Sequence, residues 1–246
     1  MNFHIITIFP ESMSSYFETS ILGKAQRDKQ IKINFYNPRD FTEGGKLKLT
    51  MPAGRQEGKT SPRSLSQVDD KPYGGGAGMV LKAEPILKVV ESIKSKIKNQ
   101  KSKILILSAK GKQFDQASSL KYAKNYKHII LITGRYEGID ERVRLALKAE
   151  EVSIGPYVLT DGEVAAAVMI SSIARLIPGV IKLESLEEES FLKAAMKDEE
   201  NGNLEYPHYT RPEVIKFKNK NYRVPKILLS GNHKKIKEWR EKSRKL

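Results

Sequence analysis

Residues Ile129–Glu163 read IILITGRYEGIDERVRLALKAEEVSIGPYVLTDGE, and this stretch decides the fold. Its start, Ile129–Ile132, has the length and β-branched composition of a buried strand. A second short strand is predicted at Val152–Ile154, and it also ends at a glycine, in Gly155-Pro156. Ligands of open α/β sheets bind beyond the carboxyl ends of the strands, so these two strand ends predict one site. Two ordinary turns that need glycine for positive φ are the alternative, and the pattern does not decide between them.

The N-terminal residues predict a βαβ unit. Phe3–Phe9 and Ile31–Tyr36 are apolar runs typical of buried strands, and Ser12–Arg27 between them has helical spacing with Ser12 as its cap. A βαβ unit implies a parallel sheet covered by helices, and hence an α/β fold. Farther along, the sequence predicts a strand at 103–108 with a glycine-bearing exit at 109–111, and helices at 85–98, 115–124, 139–149 and 161–176.

Two segments between the second strand and the next helix lack regular periodicity. Residues 43–67 are rich in Gly, Lys, Ser, Thr and Pro, and they predict a mobile basic loop that either contacts RNA phosphates or is a solvated insertion. Residues 69–79 hold four glycines in five positions, which permits close approach of a ligand, a second chain or the protein's own backbone. A phosphate-binding loop of the Lys-Ser/Thr type is excluded, because neither residue follows these glycines.

The overall charge predicts a polyanionic partner. The 246 residues include 44 Lys and Arg against 29 Asp and Glu, a formal net charge of +15. Phosphate neutralisation and counterion release dominate nucleic-acid affinity, so nucleic acid is the expected partner. The sequence holds no cysteine, which excludes disulfides, thiolate nucleophiles and cysteine-ligated metals. It shows no signal-peptide pattern and no apolar run of about 18 residues, so we expect a cytoplasmic protein that does not enter a membrane.

Charge also marks a domain boundary near residue 184. Residues 184–205 hold eight acidic residues against two lysines, whereas 206–246 hold thirteen Lys or Arg against three Glu. We therefore predict a first domain at 1–183, an acidic mobile linker at 184–205 and a basic C-terminal domain at 206–246. Aromatic residues among the C-terminal charges suit RNA contact through phosphates and base stacking, or else form the mini-core of a small helical tail. They are Tyr206, Tyr209, Phe217, Tyr222 and Trp239.

Eight short segments carry a resemblance to a known family. They occur in the order FP (9–10), PRDF (38–41), VDDKPYGGGAGM (68–79), GRYEGIDERV (134–143), SIGPYVLTDGE (153–163), RLIPGV (175–180), PHYTRPEV (207–214) and LLSGNH (228–233). Each segment is a weak signal on its own. Together and in this order they make the chain resemble the bacterial tRNA (guanine-37-N1)-methyltransferases of the SPOUT class, the TrmD family. The resemblance covers nearly the whole chain.

The resemblance implies a fold, an assembly and a cofactor. The implied fold is α/β, a SPOUT-type parallel sheet with a C-terminal trefoil knot, plus a small, mainly helical C-terminal domain that grips tRNA. The implied assembly is a homodimer, with S-adenosyl-L-methionine bound within the knot. Three loops would hold this cofactor largely through main-chain groups, so glycines and apolar residues suffice. The matching residues are Leu107, Ser108 and Gly111 in the first loop, Gly134, Tyr136 and Glu137 in the second, and Ile154, Gly155, Pro156, Tyr157, Val158, Leu159 and Gly162 in the third.

The resemblance further implies methyl transfer to N1 of guanosine 37 in the tRNA anticodon loop. That reaction needs a carboxylate base near N1 and a cation or donor near O6. Glu189 and Arg175 match these two positions. The family has Asp where Glu189 stands, so a catalytically weak or inactive tRNA-binding protein is the alternative. Pro156 and Asp161 also replace the usual Asp and Gly of the third loop, and assistance by Mg²⁺ at O6 stays open.

Overall fold

The computed structural model describes residues 1–42, 67–182, 185–186, 191 and 205–244. Nearly all of the predicted basic loop, most of the predicted linker and the predicted base Glu189 lie outside the described residues. The chain divides into two compact units, Met1–Ile181 and Lys182–Leu246. Within the described ranges, none of the helices has the length and apolar character needed to cross a membrane.

The first unit is built on a parallel sheet. Its strands along the chain are β1 (Asn2–Ile6), β2 (Lys32–Tyr36), β3 (Asp69–Asp70), β4 (Val80–Leu81), β5 (Ser102–Gln113), β6 (His128–Ile132) and β7 (Glu150–Ser153). Five of them form one sheet in the order β2-β1-β6-β5-β7, in which every neighbouring pair is parallel. All five residues of β6 are buried, because helices cover both faces of the sheet. The predicted α/β fold with a parallel sheet is confirmed.

Helices pack on both faces of this sheet. They are α1 (Ser14–Glu18), α2 (Ser20–Arg27), α3 (Ala83–Ile97), α4 (Gln116–Asn125), α5 (Glu141–Leu147) and α6 (Gly162–Ala174), with 3-10 turns at Pro10–Ser12 and Pro38–Phe41. On one face, α2, α4 and α6 surround a core that includes Phe3, Leu131 and Met169. On the other face, α3 and α5 surround a core that includes Ile93 and Ile130. Successive residues of β6 alternate between the two cores, as the two-residue period of a strand requires.

The predicted helix that begins at Ser12 is wrong in its continuity, because two helices replace it. Thr19, between α1 and α2, has an extended backbone with φ −106° and ψ 167°. The carbonyl oxygen of Phe17, near the end of α1, accepts a hydrogen bond from the side chain of Gln26 at 2.7 Å. Ser12 does not cap a helix, since its hydroxyl donates to the carbonyl oxygen of Phe9 at 2.8 Å.

Strand β5 includes the residues predicted as its exit. Its pairing with β7 shifts register between Leu107 and Lys112, so the residues between them form a bulge. Gly111 lies where the two strands approach closely: a Cβ at this position would be 2.4 Å from the backbone nitrogen of Val152. Glycine is therefore required at 111 by strand packing and not by a turn.

The segment that follows β7 passes the end of β5 to reach β6. In the sheet β5 lies between β6 and β7. Nevertheless the backbone nitrogen of Gly162 donates to the carbonyl oxygen of Gly134, which follows β6, at 3.0 Å. A Cβ on Gly162 would lie 2.8 Å from the nitrogen of Gly134. The loops after β6 and β7 are thus in direct backbone contact.

The described part of the second unit contains a β-hairpin and two helices. They are β8 (Val214–Phe217), β9 (Lys220–Arg223), α7 (Lys226–Leu229) and α8 (His233–Ser243). The hairpin turn residues Lys218 and Asn219 have φ of 46° and 59°, as a type I′ turn requires. The sequence does not predict this hairpin, because neither turn residue is the glycine that usually marks such a turn. Asn232 caps α8 by accepting a hydrogen bond from the backbone nitrogen of Lys235 at 3.1 Å.

Candidate active site

A cavity of about 440 Å³ lies beyond the carboxyl ends of β5, β6 and β7. Residues 106–110, 134–141 and 151–162 except 156 form most of its wall. Cavities of roughly 300–1,000 Å³ are typical of sites for small molecules and cofactors. The two strand ends that share a site in the sequence analysis therefore do line one cavity, and the end of β5 lies between them.

We call this the cofactor cavity, because most of the residues that the sequence predicts to bind the cofactor line it. They are Leu107, Ser108, Gly134, Tyr136, Glu137, Ile154, Gly155, Tyr157, Val158, Leu159 and Gly162. Two others do not line it: Gly111 packs against β7, and Pro156 is exposed to solvent. Lys110 and Ala165 also line the cavity, although the motifs do not single them out.

The loop after β7 is a compact turn stabilised by its own polar groups. The Ser153 hydroxyl donates to the carbonyl oxygen of Gly155 at 2.8 Å. The Tyr157 hydroxyl donates to the carbonyl oxygen of Ile154 at 3.2 Å, which places its ring against Gly155. A Cβ on Gly155 would lie 2.3 Å from a ring carbon of Tyr157, so a side chain there would displace this ring. These contacts hold the loop in a compact conformation beside the cavity that it lines.

Two carboxylates that line the cavity, Asp140 and Glu141, accept hydrogen bonds from arginines. A hydrogen bond from Arg142 lowers the pKa of Asp140, and one from Arg144 lowers the pKa of Glu141. Both carboxylates are therefore ionised at neutral pH. In the described part of the chain, no group of three or more His, Asp or Glu side chains is arranged to hold a metal ion.

Asp161 lies at the junction of two cavities. Its Oδ1 accepts a hydrogen bond from the backbone nitrogen of Val164 at 3.2 Å, which caps α6. Its Oδ2 lies 3.8 Å from Nη2 of Arg135. Burial acts to raise the pKa of Asp161, but the Val164 hydrogen bond and the charge of Arg135 outweigh it, so the pKa is lowered. Asp161 lines the cofactor cavity and also a second cavity of about 910 Å³.

This second cavity, formed with α1 and α2, runs along α6 to Arg175. Arg175 is the C-cap residue of α6, whereas Gly162 at the first turn of the same helix lines the cofactor cavity. Thirteen residues at 1.5 Å rise separate these two positions by about 20 Å. Within one chain, the structure therefore does not bring Arg175 to the cofactor cavity.

One buried carboxylate is not predicted from the sequence. Glu163 is 2% exposed and has hydrogen-bonding partners in Thr7, Thr133 and Arg135. A signal for this cluster exists in the sequence: Thr7 interrupts an apolar run near the end of a predicted strand, and Thr133 directly follows another such run. A hydroxyl at such a position needs a buried partner, but nothing in the spacing identifies Glu163 as that partner.

The aromatic residues of the second unit fall into two groups. Tyr206 is only 7% exposed, and the guanidinium of Arg240 lies 4.6 Å from its ring centroid. Phe217 and Tyr222 are 60% and 47% exposed on one face of the hairpin. The Nζ atoms of Lys218 and Lys220 lie 5.5 Å from the Phe217 centroid and 5.6 Å from the Tyr222 centroid, respectively. Tyr206 thus belongs to a small core, while the hairpin aromatics form an exposed basic surface.

A parallel α/β sheet with a glycine-rich cavity beyond its strand ends is the arrangement of enzymes that bind a nucleotide-like cofactor. The model of one such family, described as tRNA (guanine-1)-methyltransferase TrmD, matches residues 1–246. The chain belongs to this family of enzymes, in agreement with the resemblance carried by its motifs.

Individual relatives agree with the family match. The chain is 46% identical over 243 residues to the tRNA (guanine-N(1)-)-methyltransferase of Carboxydothermus hydrogenoformans, covering 98% of this chain and 82% of that protein. It is 44% identical over 241 residues to the enzyme of the same name from Mycoplasma mycoides, with coverages of 98% and 85%. For the one from Clostridioides difficile the identity is 42% over 240 residues, with coverages of 98% and 90%.

Proposed function

We propose that this chain transfers a methyl group from S-adenosyl-L-methionine to N1 of guanosine 37 in the tRNA anticodon loop. The family match over residues 1–246 carries the proposal. The relatives share the enzyme name over nearly the full chain, which favours an active enzyme over an inactive tRNA-binding protein. We also propose that the protein acts in the cytoplasm, where tRNA modification occurs.

The cofactor cavity fits a nucleoside-containing ligand. Its volume of about 440 Å³ and the glycines in its lining loops suit an adenosine whose base edge is read by backbone groups. Gly134 supports this fit, because a Cβ there would meet protein atoms only at ordinary distances of 3.7 Å or more. We therefore propose that glycine at 134 leaves room for a ligand and is not required by internal packing. When bound, S-adenosyl-L-methionine supplies an activated methyl group.

The chemistry at guanine requires a base and a cation from the protein. N1 of guanine is a poor nucleophile while protonated, and negative charge moves to O6 as the proton leaves. We assign the base to Glu189, which would accept the N1 proton, and the stabilisation of O6 to Arg175. Glu189 stands where the family has Asp, so its carboxyl group is one methylene farther from the backbone.

The position of Arg175 supports a homodimer with shared active sites. Arg175 lies about 20 Å along α6 from the cofactor cavity of its own chain, which is farther than an arginine side chain extends. A second chain related by two-fold symmetry removes this conflict by bringing its own Arg175 to the cavity. The outward face of α6 is a suitable contact surface, since Val164 and Val168 on it are 51% and 44% exposed.

The crossing of the segment after β7 supports a trefoil knot. To reach the end of β6, this segment passes the end of β5, and the contact between Gly162 and Gly134 closes the path. We propose that the loops after β5, β6 and β7 form the knot. Such a loop cannot open easily, so the cofactor cavity is preorganised.

The basic C-terminal unit is the proposed tRNA-gripping domain. Its residues 206–246 hold thirteen Lys or Arg against three Glu, and its hairpin exposes aromatic rings beside lysines. Ammonium groups neutralise phosphates, and exposed rings stack on unpaired bases.

Primer extension tests the proposed activity directly. The purified chain is incubated with S-adenosyl-L-methionine and an unmodified tRNA transcript, followed by reverse transcription. N1-methylation blocks the Watson–Crick edge, so we expect a stop beside position 37 and none with a transcript that has adenosine there. Tight tRNA binding with no stop would support the inactive tRNA-binding alternative. Glu189→Gln and Arg175→Ala should each abolish the stop, and full activity of both variants would refute the catalytic assignment.

A further inference from the structure

Glu163, in the first turn of α6, is an interior carboxylate with donors on several sides. Its Oε1 accepts a hydrogen bond from the Thr7 hydroxyl at 2.5 Å and lies 3.1 Å from the Thr133 hydroxyl. Its Oε2 accepts a hydrogen bond from Nε of Arg135 at 3.0 Å. Burial of a carboxylate is costly unless it is paired and hydrogen-bonded, and these donors meet that requirement.

The donors connect α6 to the ends of two central strands. Thr7 directly follows β1, and Thr133 directly follows β6, so Glu163 links three segments that are distant in sequence. Arg135 is held on a second side by Phe9, whose ring centroid lies 4.7 Å from the guanidinium carbon. Removal of the Glu163 charge would leave this partly buried guanidinium without its closest ion-pair partner.

Arg135 lines the cofactor cavity, whereas Glu163 does not. Because Glu163 adjoins Gly162, which contacts Gly134, it lies where the loops after β6 and β7 meet. We propose that Glu163 is a positioning residue that fixes these two loops against each other through Arg135 and Thr133, and so prepares the cavity for S-adenosyl-L-methionine. The inference rests on the proposed function, because it takes this cofactor as the ligand.

Calorimetric titration with S-adenosyl-L-methionine tests this role without measuring activity. Glu163→Gln keeps the size of the side chain but removes its charge, and the hydrogen bond with Arg135 loses its ionic character. Both proteins are titrated well below their unfolding temperatures. We expect the Kd of Glu163→Gln to be about tenfold to 100-fold higher than that of the unaltered protein. In the cofactor-free protein, the amides of residues 134–138 and 157–162 should exchange hydrogen faster.

Glu150→Gln is the matched control. Glu150 also forms an ion pair, 2.5 Å from Nζ of Lys103, but it does not line the cofactor cavity. This variant should lower the Tm and leave the Kd and the exchange of both loops unchanged. An equal rise in Kd for Glu150→Gln and Glu163→Gln would mean that general loosening of the fold weakens binding, and it would overturn the inference.

A second pair of variants covers the case in which Glu163→Gln does not fold. Thr7→Val removes one donor to Glu163 and should raise the Kd by about threefold to tenfold. Thr7→Ser keeps the hydroxyl, so its Kd should stay close to that of the unaltered protein. An unchanged Kd for a folded Glu163→Gln or for Thr7→Val would refute the positioning role alone. Absence of cofactor binding by the unaltered chain would instead refute the proposed function, and this inference with it.

Discussion

Nε2 of His4 lies 3.0 Å from Nδ1 of His128 across the neighbouring strands β1 and β6. On the far sides, Nε2 of His128 lies 3.2 Å from Oε1 of Gln100, and Nδ1 of His4 lies 3.2 Å from the Tyr36 hydroxyl. Oε1 only accepts, so His128 donates to Gln100, His4 donates to His128, and Tyr36 donates to His4. Each of these three hydrogen bonds thus has one proton, and both imidazoles are neutral.

This arrangement predicts a loss of stability in mild acid. Burial, followed by the charges of His128, Lys32 and Lys96, lowers the pKa of His4 to about 4, from 6.5. The unfolded chain therefore binds more protons below pH 6.5, and the free energy of unfolding should fall by on the order of 2–3 kcal/mol between pH 6.5 and 4. Urea unfolding at several pH values measures this slope.

Two variants separate this effect from general acid sensitivity. His4→Leu removes the imidazole whose pKa is lowered, and it should flatten the dependence of the unfolding free energy on pH between 6.5 and 4. His233→Gln changes an exposed histidine and should leave the dependence as it is. A steep slope that persists in His4→Leu would assign the acid sensitivity to other groups.

The surroundings of two glycines in the cofactor loops predict that one alanine substitution lowers stability and the other weakens cofactor binding. Gly162→Ala places a Cβ 2.8 Å from the nitrogen of Gly134, so we expect a destabilisation of about 2 kcal/mol or more and a lower Tm. Gly134→Ala meets no protein atom closer than 3.7 Å, so the Tm should change little. Its new methyl group points to a site where we expect cofactor, and the Kd for S-adenosyl-L-methionine should rise at least tenfold. Thermal unfolding and calorimetry, run in parallel, check both outcomes.

The exposed face of α6 predicts that a single charge disrupts the assembly. In the proposed dimer, Val168→Asp places two like charges in one two-fold interface without partners, so sedimentation should show monomers. Methyl transfer should fall at least 100-fold, because Arg175 no longer reaches the cavity of the other chain. Leu145→Asp on α5, where the leucine is also exposed, should leave both properties unchanged. A fully active monomeric Val168→Asp would contradict the shared site.

The hairpin aromatics predict a separation of tRNA affinity from stability. Alanine substitution of a base-stacking ring costs about 1–3 kcal/mol, so Phe217→Ala and Tyr222→Ala should each weaken tRNA binding roughly fivefold or more. Both residues are exposed, and their Tm values should match the unaltered chain. Tyr206→Ala removes a buried ring and should lower the stability of the C-terminal unit instead. Fluorescence anisotropy with labelled tRNA measures the affinities. If all three variants bind tRNA as tightly as the unaltered chain, stacking on the hairpin is excluded.

Local pattern was sufficient for much of this protein. The apolar run at Ile129–Ile132 determines a buried strand because both faces of a central parallel strand need apolar residues. The spacing of glycines such as Gly134 and Gly155 does not separate a ligand site from ordinary turns, and only the resemblance to the family predicts cofactor loops there. The ordered motifs indicate the family, which the match over residues 1–246 confirms.

The tertiary structure decided what depends on contacts between distant segments. Gly111 belongs to strand packing and not to the cavity, because β7 approaches it from about 40 residues away. Glu163 contacts Thr7, which lies more than 150 residues earlier, so only the tertiary structure identifies this carboxylate. The predicted helix at 161–176 already separates Arg175 from Gly162 along its axis, and the tertiary structure adds that Arg175 does not line the cavity. Sequence determines what each segment buries or exposes, whereas the meeting of two segments depends on how the whole chain packs.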